Sequence, residues 1–387
     1  MPTLVRIVQV NAAYDPDATT PAALLDRYPT LTQWSSAMCR AGASVKVFQR
    51  FRADARIERD GVTYAFAGDG HAPRLSTGGT SPALAHAVAR ERADVIHVNG
   101  LIFPRLVAGI RGLAGPEPVI VVQDHGGELP VFGSGPVGGW RRKRWRDGLR
   151  HADAVSFTAT AQAAPWREAG VLRDQRVLAI VEASSTLRVV PRDRARAVAG
   201  VSGDPLILWV GRLTHNKDPL TVLDGLERAL PHLPVAAVVM AFGSNDLLDE
   251  VTARIRSSAV LGQRVTLAGH VAHDEIANYF GAADIFVSGS HAEGSGYALI
   301  EALSAGLVPV VTDIPPFRAI AGPCGARWAP GDAAALAAAL RDVCSRDLTA
   351  ARDQAREHFA RTLQWDAIAA ATLTAYRELC EWKRRPH

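Results

Sequence analysis

Cysteine is scarce: Cys39, Cys324, Cys344 and Cys380 are the whole supply, and no two stand in a CxxC spacing. Neither a zinc site nor a disulfide framework is suggested, and reduced thiols in the cytosol are the simplest reading. No apolar run comes near the roughly 18 to 20 residues that a membrane span needs. The start, with a strand-like run at residues 3–10, lacks the basic flank and long apolar core of a secretory signal. A cytoplasmic protein is expected, with contact at a membrane surface left open. The chain also lacks GxxxxGK(S/T), HExxH and GxSxG. A P-loop NTPase, a zincin or an α/β-hydrolase would each be without its defining residues. Internal repeats and low-complexity tracts are absent as well.

What is present is an ordinary globular composition, 48% hydrophobic and 21% charged over 387 residues, enough for two domains that each bury a core. The net charge of +4 suits anionic ligands without arguing for nucleic acid.

Short β-branched runs alternate with longer helical patterns. Strands are read at residues 4–10, 44–48, 94–98, 119–123, 154–157 and 177–181, with helical spacing at 31–40 and 82–90. Residues 188–204 carry charges, Gly and Pro and read as a break. A second series follows at 206–210, 235–241, 265–268, 285–288 and 308–311, then helical stretches at 333–346 and 366–383. This rhythm predicts an α/β protein of two Rossmann-like, doubly wound parallel-sheet domains facing a cleft. Motifs directly after strands then matter most, because ligands of such sheets sit at the strands' carboxyl ends.

Glu293 and Glu301 lie in the most informative stretch, residues 290–306. From 297 to 305 only Glu301 is charged, so the segment reads as a buried helix closed by Gly306. A carboxylate there costs several kcal/mol unless it is paired. Gly294-Ser295-Gly296 sets backbone N–H groups at the helix start, a place for phosphate. Eight residues of helix separate the two carboxylates by roughly 12 Å, about the reach of a sugar diphosphate. The plainer reading is an α/β helix with a snorkelling Glu behind a Gly-rich loop.

The strand at 206–210 runs into Gly211-Arg212, with Lys217 and Asp218-Pro219 following. A Gly for close approach, an Arg fork and a Lys point charge make a diphosphate clamp; otherwise this is a loop with two solvated cations. His125 stands on a Gly-rich loop just past the strand at 119–123, whereas His97, inside a strand, reads as a satisfied interior histidine. Residues 133–138 formally match GxGxxG, but Pro136 and Gly139 argue against a helix there, and the segment reads as a mobile loop with no dinucleotide role. After Trp140, residues 141–150 hold six cations. On a helix Arg142, Arg146 and Arg150 share a face, and Trp145, Leu149 and Ala152 form an apolar stripe. A solvated basic face is one reading, a surface for an anionic acceptor or anionic lipid the other; no nucleic-acid motif accompanies it.

In order, Gly211-Arg212-Leu213 with Lys217-Asp218-Pro219, residues 265–271, 282–288, Glu293-Gly294-Ser295-Gly296, Glu301 to Gly306 and residues 308–311 resemble the GT-B-fold retaining glycosyltransferases of family 4, the type with a Glu-x7-Glu motif. The likeness is strong over residues 206–376 and weaker over 94–170. It implies an acceptor-side domain at 1–190, a nucleotide-sugar domain at 191–363, and a helix at 364–387 crossing back to the first. It implies a sugar transferred from a nucleoside-diphosphate sugar to a hydroxyl of a small-molecule, glycan or lipid-linked acceptor. Arg212 and Lys217 would hold the diphosphate, Glu301 the ribose, and Gly294, Ser295, Gly296 and Tyr297 the phosphate or sugar through their N–H groups. Glu293 and His125 would act at the donor sugar as the catalytic residues, and Val271 would touch the base. Neither a metal nor a further cofactor is implied. Basic residues 141–150 would allow peripheral contact with an anionic membrane, at its inner face. Three places differ from the family: residues 11–17 replace a glycine-rich loop, Ser295 stands where Phe is common, and residues 314–320 replace a Gly-Gly-x-x-Glu run. The alternatives are a GT-B-fold nucleotide-sugar epimerase and a non-catalytic nucleotide-sugar-binding module.

Overall fold

Strands that are apolar along their whole length must be covered on both faces, and a parallel sheet sandwiched between helices does this. The computed structural model describes residues 4–69, 81–126, 129–272 and 274–385; Gly127 and Glu128 of the His125 loop lie outside them. The chain divides into two units, Met1–Glu182 with Trp365–His387, and Ala183–Gln364.

The first unit holds strands β1 (Arg6–Asn11), β2 (Ser44–Phe51), β3 (Ala55–Arg59), β4 (Val62–Gly68), β5 (Val95–Asn99), β6 (Val119–Gln123), β7 (Ala154–Phe157) and β8 (Arg176–Ala179). They form one sheet in the order β3-β4-β2-β1-β5-β6-β7-β8. All pairs are parallel except β3 with β4. That antiparallel hairpin is missing from the sequence reading. Its edge strand carries Arg56 and Glu58 on alternate positions, and the turn is made by Asp60 and Gly61, both at positive φ, as a tight hairpin requires. On one face of the sheet Val45, Val47 and Tyr64 pack with Met38, Leu373 and Tyr376; on the other Val98 and Ile120 pack with Val107, Leu149 and Trp166. The last helix, Trp365–Arg384, therefore belongs to this unit. Trp365 Nε1 donates to Gln33 Oε1 at 2.9 Å, and Arg40 Nη2 donates to Asp366 Oδ1 at 2.6 Å.

In the second unit the strands are β9 (Leu206–Gly211), β10 (Ala237–Phe242), β11 (Val265–Gly269), β12 (Ile285–Ser288), β13 (Val308–Thr312) and β14 (Ala326–Trp328). Every pair is parallel, and the order is β11-β10-β9-β12-β13-β14. Counted along this unit, that is the 3-2-1-4-5-6 order of a doubly wound sheet, whose strand direction of progress reverses between β9 and β12.

Four readings need correction. Residues 188–204 are no plain break, for Arg192–Ala199 is a helix that ends on Gly200 in the left-handed region. Residues from Ala183 onward belong to the second unit, where Ser185 Oγ accepts a hydrogen bond from Ser304 Oγ at 2.9 Å. The tail has a third helix, Leu348–Thr362, whose N-cap Asp347 accepts from the N–H groups of Thr349 and Ala350. Finally, residues 135–139 open the helix Gly135–Leu149 rather than forming a loop, since Pro136 sits in a first turn that needs no proline N–H. None of the described helices is long and apolar enough to cross a membrane.

Candidate functional site

The reversal point of the second sheet lies between the loops that leave β9 and β12, and both loops carry residues singled out by the sequence. Past β9, Arg212 is exposed, and Lys217 closes the single turn His215–Lys217. Asp218 follows at φ 44° and caps the next helix by accepting from Thr221 N–H at 3.2 Å. Past β12 the chain passes through Gly289, where an added Cβ would come within 3.0 Å of Asp218 O and 3.2 Å of Lys217 O. Glycine is required there because the two loops touch backbone to backbone.

Asn216 joins these loops. Its Nδ2 donates to Ala292 O at 3.0 Å, its Oδ1 accepts from Ala292 N–H at 2.9 Å, and its own carbonyl accepts from His291 N–H at 2.8 Å. The outcome is that Lys217 Nζ donates to Glu293 Oε1, with both side chains largely buried. Sequence reading placed these two on one ligand; the structure brings them into contact with each other. It passed over Asn216, whose only sequence signal is its place beside Lys217.

Glu293 leads to Gly294, Ser295 and Gly296. Gly296 has φ 61° and ψ 38°, and a Cβ on it would lie 2.6 Å from Ile320 Cδ1. The helix Tyr297–Ala305 then begins, and Gly306 ends it at φ 78°. Ser295 is buried, while Tyr297 is 45% exposed at the helix start. One turn into the helix stands Glu301, half-buried, whose carboxylate has no hydrogen bond or ion pair among the described residues. Burial alone pushes its pKa up to about 7. Val271 lies beyond β11 and is half-buried. Thus Arg212, Lys217, Val271, Glu293, the turn and Glu301 are all carried by the second unit.

His125 belongs to the first unit. It follows β6 and is paired through Nδ1 with Glu182 Oε2, the carboxylate being buried and the ring 47% exposed. Burial works against the charged ring, but the Glu182 carboxylate and, behind it, Asp124 outweigh it and hold the pKa above its ordinary value. Glu182 was not singled out from sequence, for it stands in no motif and far along the chain from His125.

Close by, the ends of β1, β5 and β6 line up Asn11, Asn99 and Gln123 in register. Asn99 Nδ2 donates to Asn11 Oδ1. His97 is the satisfied interior histidine expected: Nδ1 meets the Tyr376 hydroxyl, and Nε2 lies 2.8 Å from Asn99 Oδ1. Burial pushes its pKa down to about 4, so the ring is neutral.

Comparison with known proteins agrees with this geometry. Residues 204–346 match the family described as Glycosyl transferases group 1, a span that holds Arg212, Lys217, Val271, Glu293, the turn after it and Glu301. A GDP-mannose:cellobiosyl-diphosphopolyprenol alpha-mannosyltransferase of Xanthomonas oryzae pv. oryzae is 27% identical over 238 residues, 60% of this chain and 59% of that protein. A glycogen synthase of Mycobacterium tuberculosis is 30% identical over 192 residues, 48% of this chain and 45% of that protein. The chain thus spans less than two thirds of the length of these relatives. The solved sucrose-phosphate synthase of Thermosynechococcus elongatus superposes with a TM-score of 0.65 at 21% identity, covering 98% of this chain and 100% of that one. This likeness shows the fold, which is GT-B.

Proposed function

Because residues 204–346 belong to the glycosyl transferases group 1 family, we propose that the chain is a glycosyltransferase that takes a sugar from a nucleoside-diphosphate sugar and attaches it to a hydroxyl. The observation that carries this reading is the meeting of the β9 and β12 loops at the sheet's reversal point. It sets Lys217 beside Glu293 and opens the helix that bears Glu301.

In this reading the diphosphate draws the Lys217 ammonium and the Arg212 fork, and the N–H groups of Gly294, Ser295, Gly296 and Tyr297 face phosphate or sugar. Glu301 takes the ribose hydroxyls, Val271 contacts the base, and Glu293 and His125 act at the donor sugar. Negative charge builds on the leaving diphosphate as the glycosidic bond breaks, and the two cations with the helix start offset it. No metal is needed for that step, so transfer is expected to persist in a chelator. Retention at the anomeric carbon is part of the proposal.

The name of the Xanthomonas relative makes GDP-mannose the first donor to try and a polyprenyl-diphosphate-linked sugar the first acceptor. For such an acceptor, residues 141–150 would provide peripheral contact with an anionic membrane.

Calorimetric titration with GDP, UDP, ADP and TDP tests the donor site. One base is expected to bind best, and Glu301→Ala to weaken it about tenfold through loss of charged hydrogen bonds. Unchanged affinity in Glu301→Ala would sink the ribose assignment. Conversion of donor alone into an epimer would favour the epimerase, and nucleotide binding without transfer or hydrolysis the binding module.

A further inference from the structure

The helix Gly135–Leu149 is fixed to the first unit by one side. Gly138, Trp145, Gly148 and Leu149 are buried, and a Cβ on Gly148 would come within 2.4 Å of Pro104 O, so this side admits no rotation of the helix away from its seat. By helical spacing, Trp140 and Lys143 lie on the side opposite Gly138, Trp145 and Leu149. There the surface is apolar where it should be polar. Trp140 is 56% exposed, and Val137, one turn before it, 62%. Cations flank these two side chains, Arg141 standing four residues from Val137 and Arg144 four from Trp140 on the same helix. Arg141, Arg142 and Lys143 are exposed, and the Arg144 guanidinium lies 5.1 Å from the centre of the Trp140 ring. Arg105 of the neighbouring helix stands near enough to Arg144 to depress its pKa, after burial as the larger cause.

Charge on this chain is concentrated here. The six cations and one acid of residues 141–150 exceed the net charge of +4 of the entire protein, so the remainder is close to neutral. A fixed apolar tip flanked by cations matches one kind of partner best. Polyanions in water would satisfy the cations, but they leave the exposed Val137 and Trp140 without a purpose. A second copy meeting the same face would set like charges together. A bilayer with acidic headgroups takes both, with the indole and Val137 at headgroup level and the basic side chains on the phosphates.

We propose that Val137 and Trp140, flanked by Arg141, Lys143 and Arg144, form a docking surface for an anionic lipid bilayer. The proposal deepens the acceptor reading above and rests on it for its purpose, since a lipid-linked acceptor is held in a membrane. It extends that reading beyond the basic run, to an apolar tip that the structure exposes next to it.

The test is flotation of the full chain with vesicles of phosphatidylcholine alone and of phosphatidylcholine mixed with phosphatidylglycerol. Binding is expected only to the mixed vesicles and should fall as salt screens the headgroups. Trp140→Ser should lower it, and the pair Arg141→Glu with Arg144→Glu should lower it more than about tenfold, given the weight of each charge near such a surface. Nucleotide affinity and thermal unfolding of both variants should match the parent, which separates lost docking from lost folding. Absent vesicle binding, equal binding to neutral vesicles, or binding that the variants leave intact would each overturn the proposal. So would an RNA homopolymer that displaces the vesicles, or self-association that the same variants abolish. Vesicle binding without affinity for any nucleotide would instead overturn the transferase reading and leave the docking surface standing.

Discussion

Glu301 is held in a position that raises the free energy of its own ionised form. Its pKa of about 7 arises from burial, whereas in the unfolded chain the carboxyl titrates near its ordinary value. Below that ordinary value both states carry the proton and folding loses nothing. As pH rises toward 7 the unfolded chain ionises while the folded one keeps its proton, so stability drains away; once the folded carboxyl has ionised too, the loss is complete. The gap corresponds to about 3 kcal/mol. Glu301→Gln cannot ionise and should be more stable than the parent by about that amount at about pH 8, with the difference shrinking toward about pH 4. Urea unfolding of the second unit at both pH values checks this, and a difference independent of pH would show that burial is not what perturbs the carboxyl. A ligand hydroxyl on Glu301 would relieve the same penalty by donating to the charged oxygen, which ties nucleotide affinity to its ionisation. Two other residues act through a partner far along the chain, Glu182 on His125 and Asn216 on residue 292. Neither was legible in the sequence, because a partner 57 or 76 positions away leaves no local pattern; Arg212, Lys217, Glu293 and Glu301 stand out in it because each closely follows a strand or breaks an apolar helix.

Whole elements were legible where burial is two-sided. β6, β7 and β12 fall on the residues that the apolar runs predict, because a strand covered on both faces is apolar over most of its length. The hairpin of β3 and β4 escaped for the opposite reason. Its edge strand alternates charge with Ala and Ile, and only the Asp60-Gly61 pair marked the turn. The helix Arg192–Ala199 escaped because its charges look like a linker until Asp284 is placed. Asp284 receives Arg192 at 2.9 Å, Arg196 at 3.1 Å and Arg352 at 2.6 Å. Between the β9 and β12 loops, Asn216 carries the equivalent load. Asn216→Ala removes both side-chain bonds to Ala292 and should cost about 1–3 kcal/mol. It should also loosen the seat of Lys217 against Glu293, so nucleotide affinity should fall severalfold, and Asn216→Asp, which keeps the bond from Ala292 N–H, should recover part of it. Calorimetry on both variants decides the matter. Lost stability with undiminished nucleotide affinity would make Asn216 a structural tie and nothing more.

At the scale of the whole molecule, the chain leaves its first unit at Glu182 and returns to it at Trp365. The last helix is therefore a late-sequence part of an early-sequence core. It buries Trp365, Ile368, Leu373, Tyr376 and Leu379 in that core, and its Lys383 Nζ donates to Asp153 Oδ2 at 2.7 Å. Tyr376 also supplies a partner of the buried, neutral His97. Each large apolar side chain buried this way is worth about 1.5–3 kcal/mol. Five of them together rival the roughly 5–15 kcal/mol that holds an ordinary domain folded. A chain ending at Gln364 should consequently lose the cooperative unfolding of its first unit. The core cluster of the second unit that holds Ile207, Leu226 and Val308 takes no residue from that helix, and this unit should keep its own transition. Scanning calorimetry of the shortened chain should show one transition where the full chain shows the contributions of two units. Amide spectra should keep the dispersed signals of residues 183–364, and the preferred nucleotide should still bind with affinity close to that of the full chain, because Arg212, Lys217, Glu293 and Glu301 all remain. Two cooperative transitions in the shortened chain would mean that the first unit closes its core without the helix. Loss of both would mean that the second unit does not fold alone.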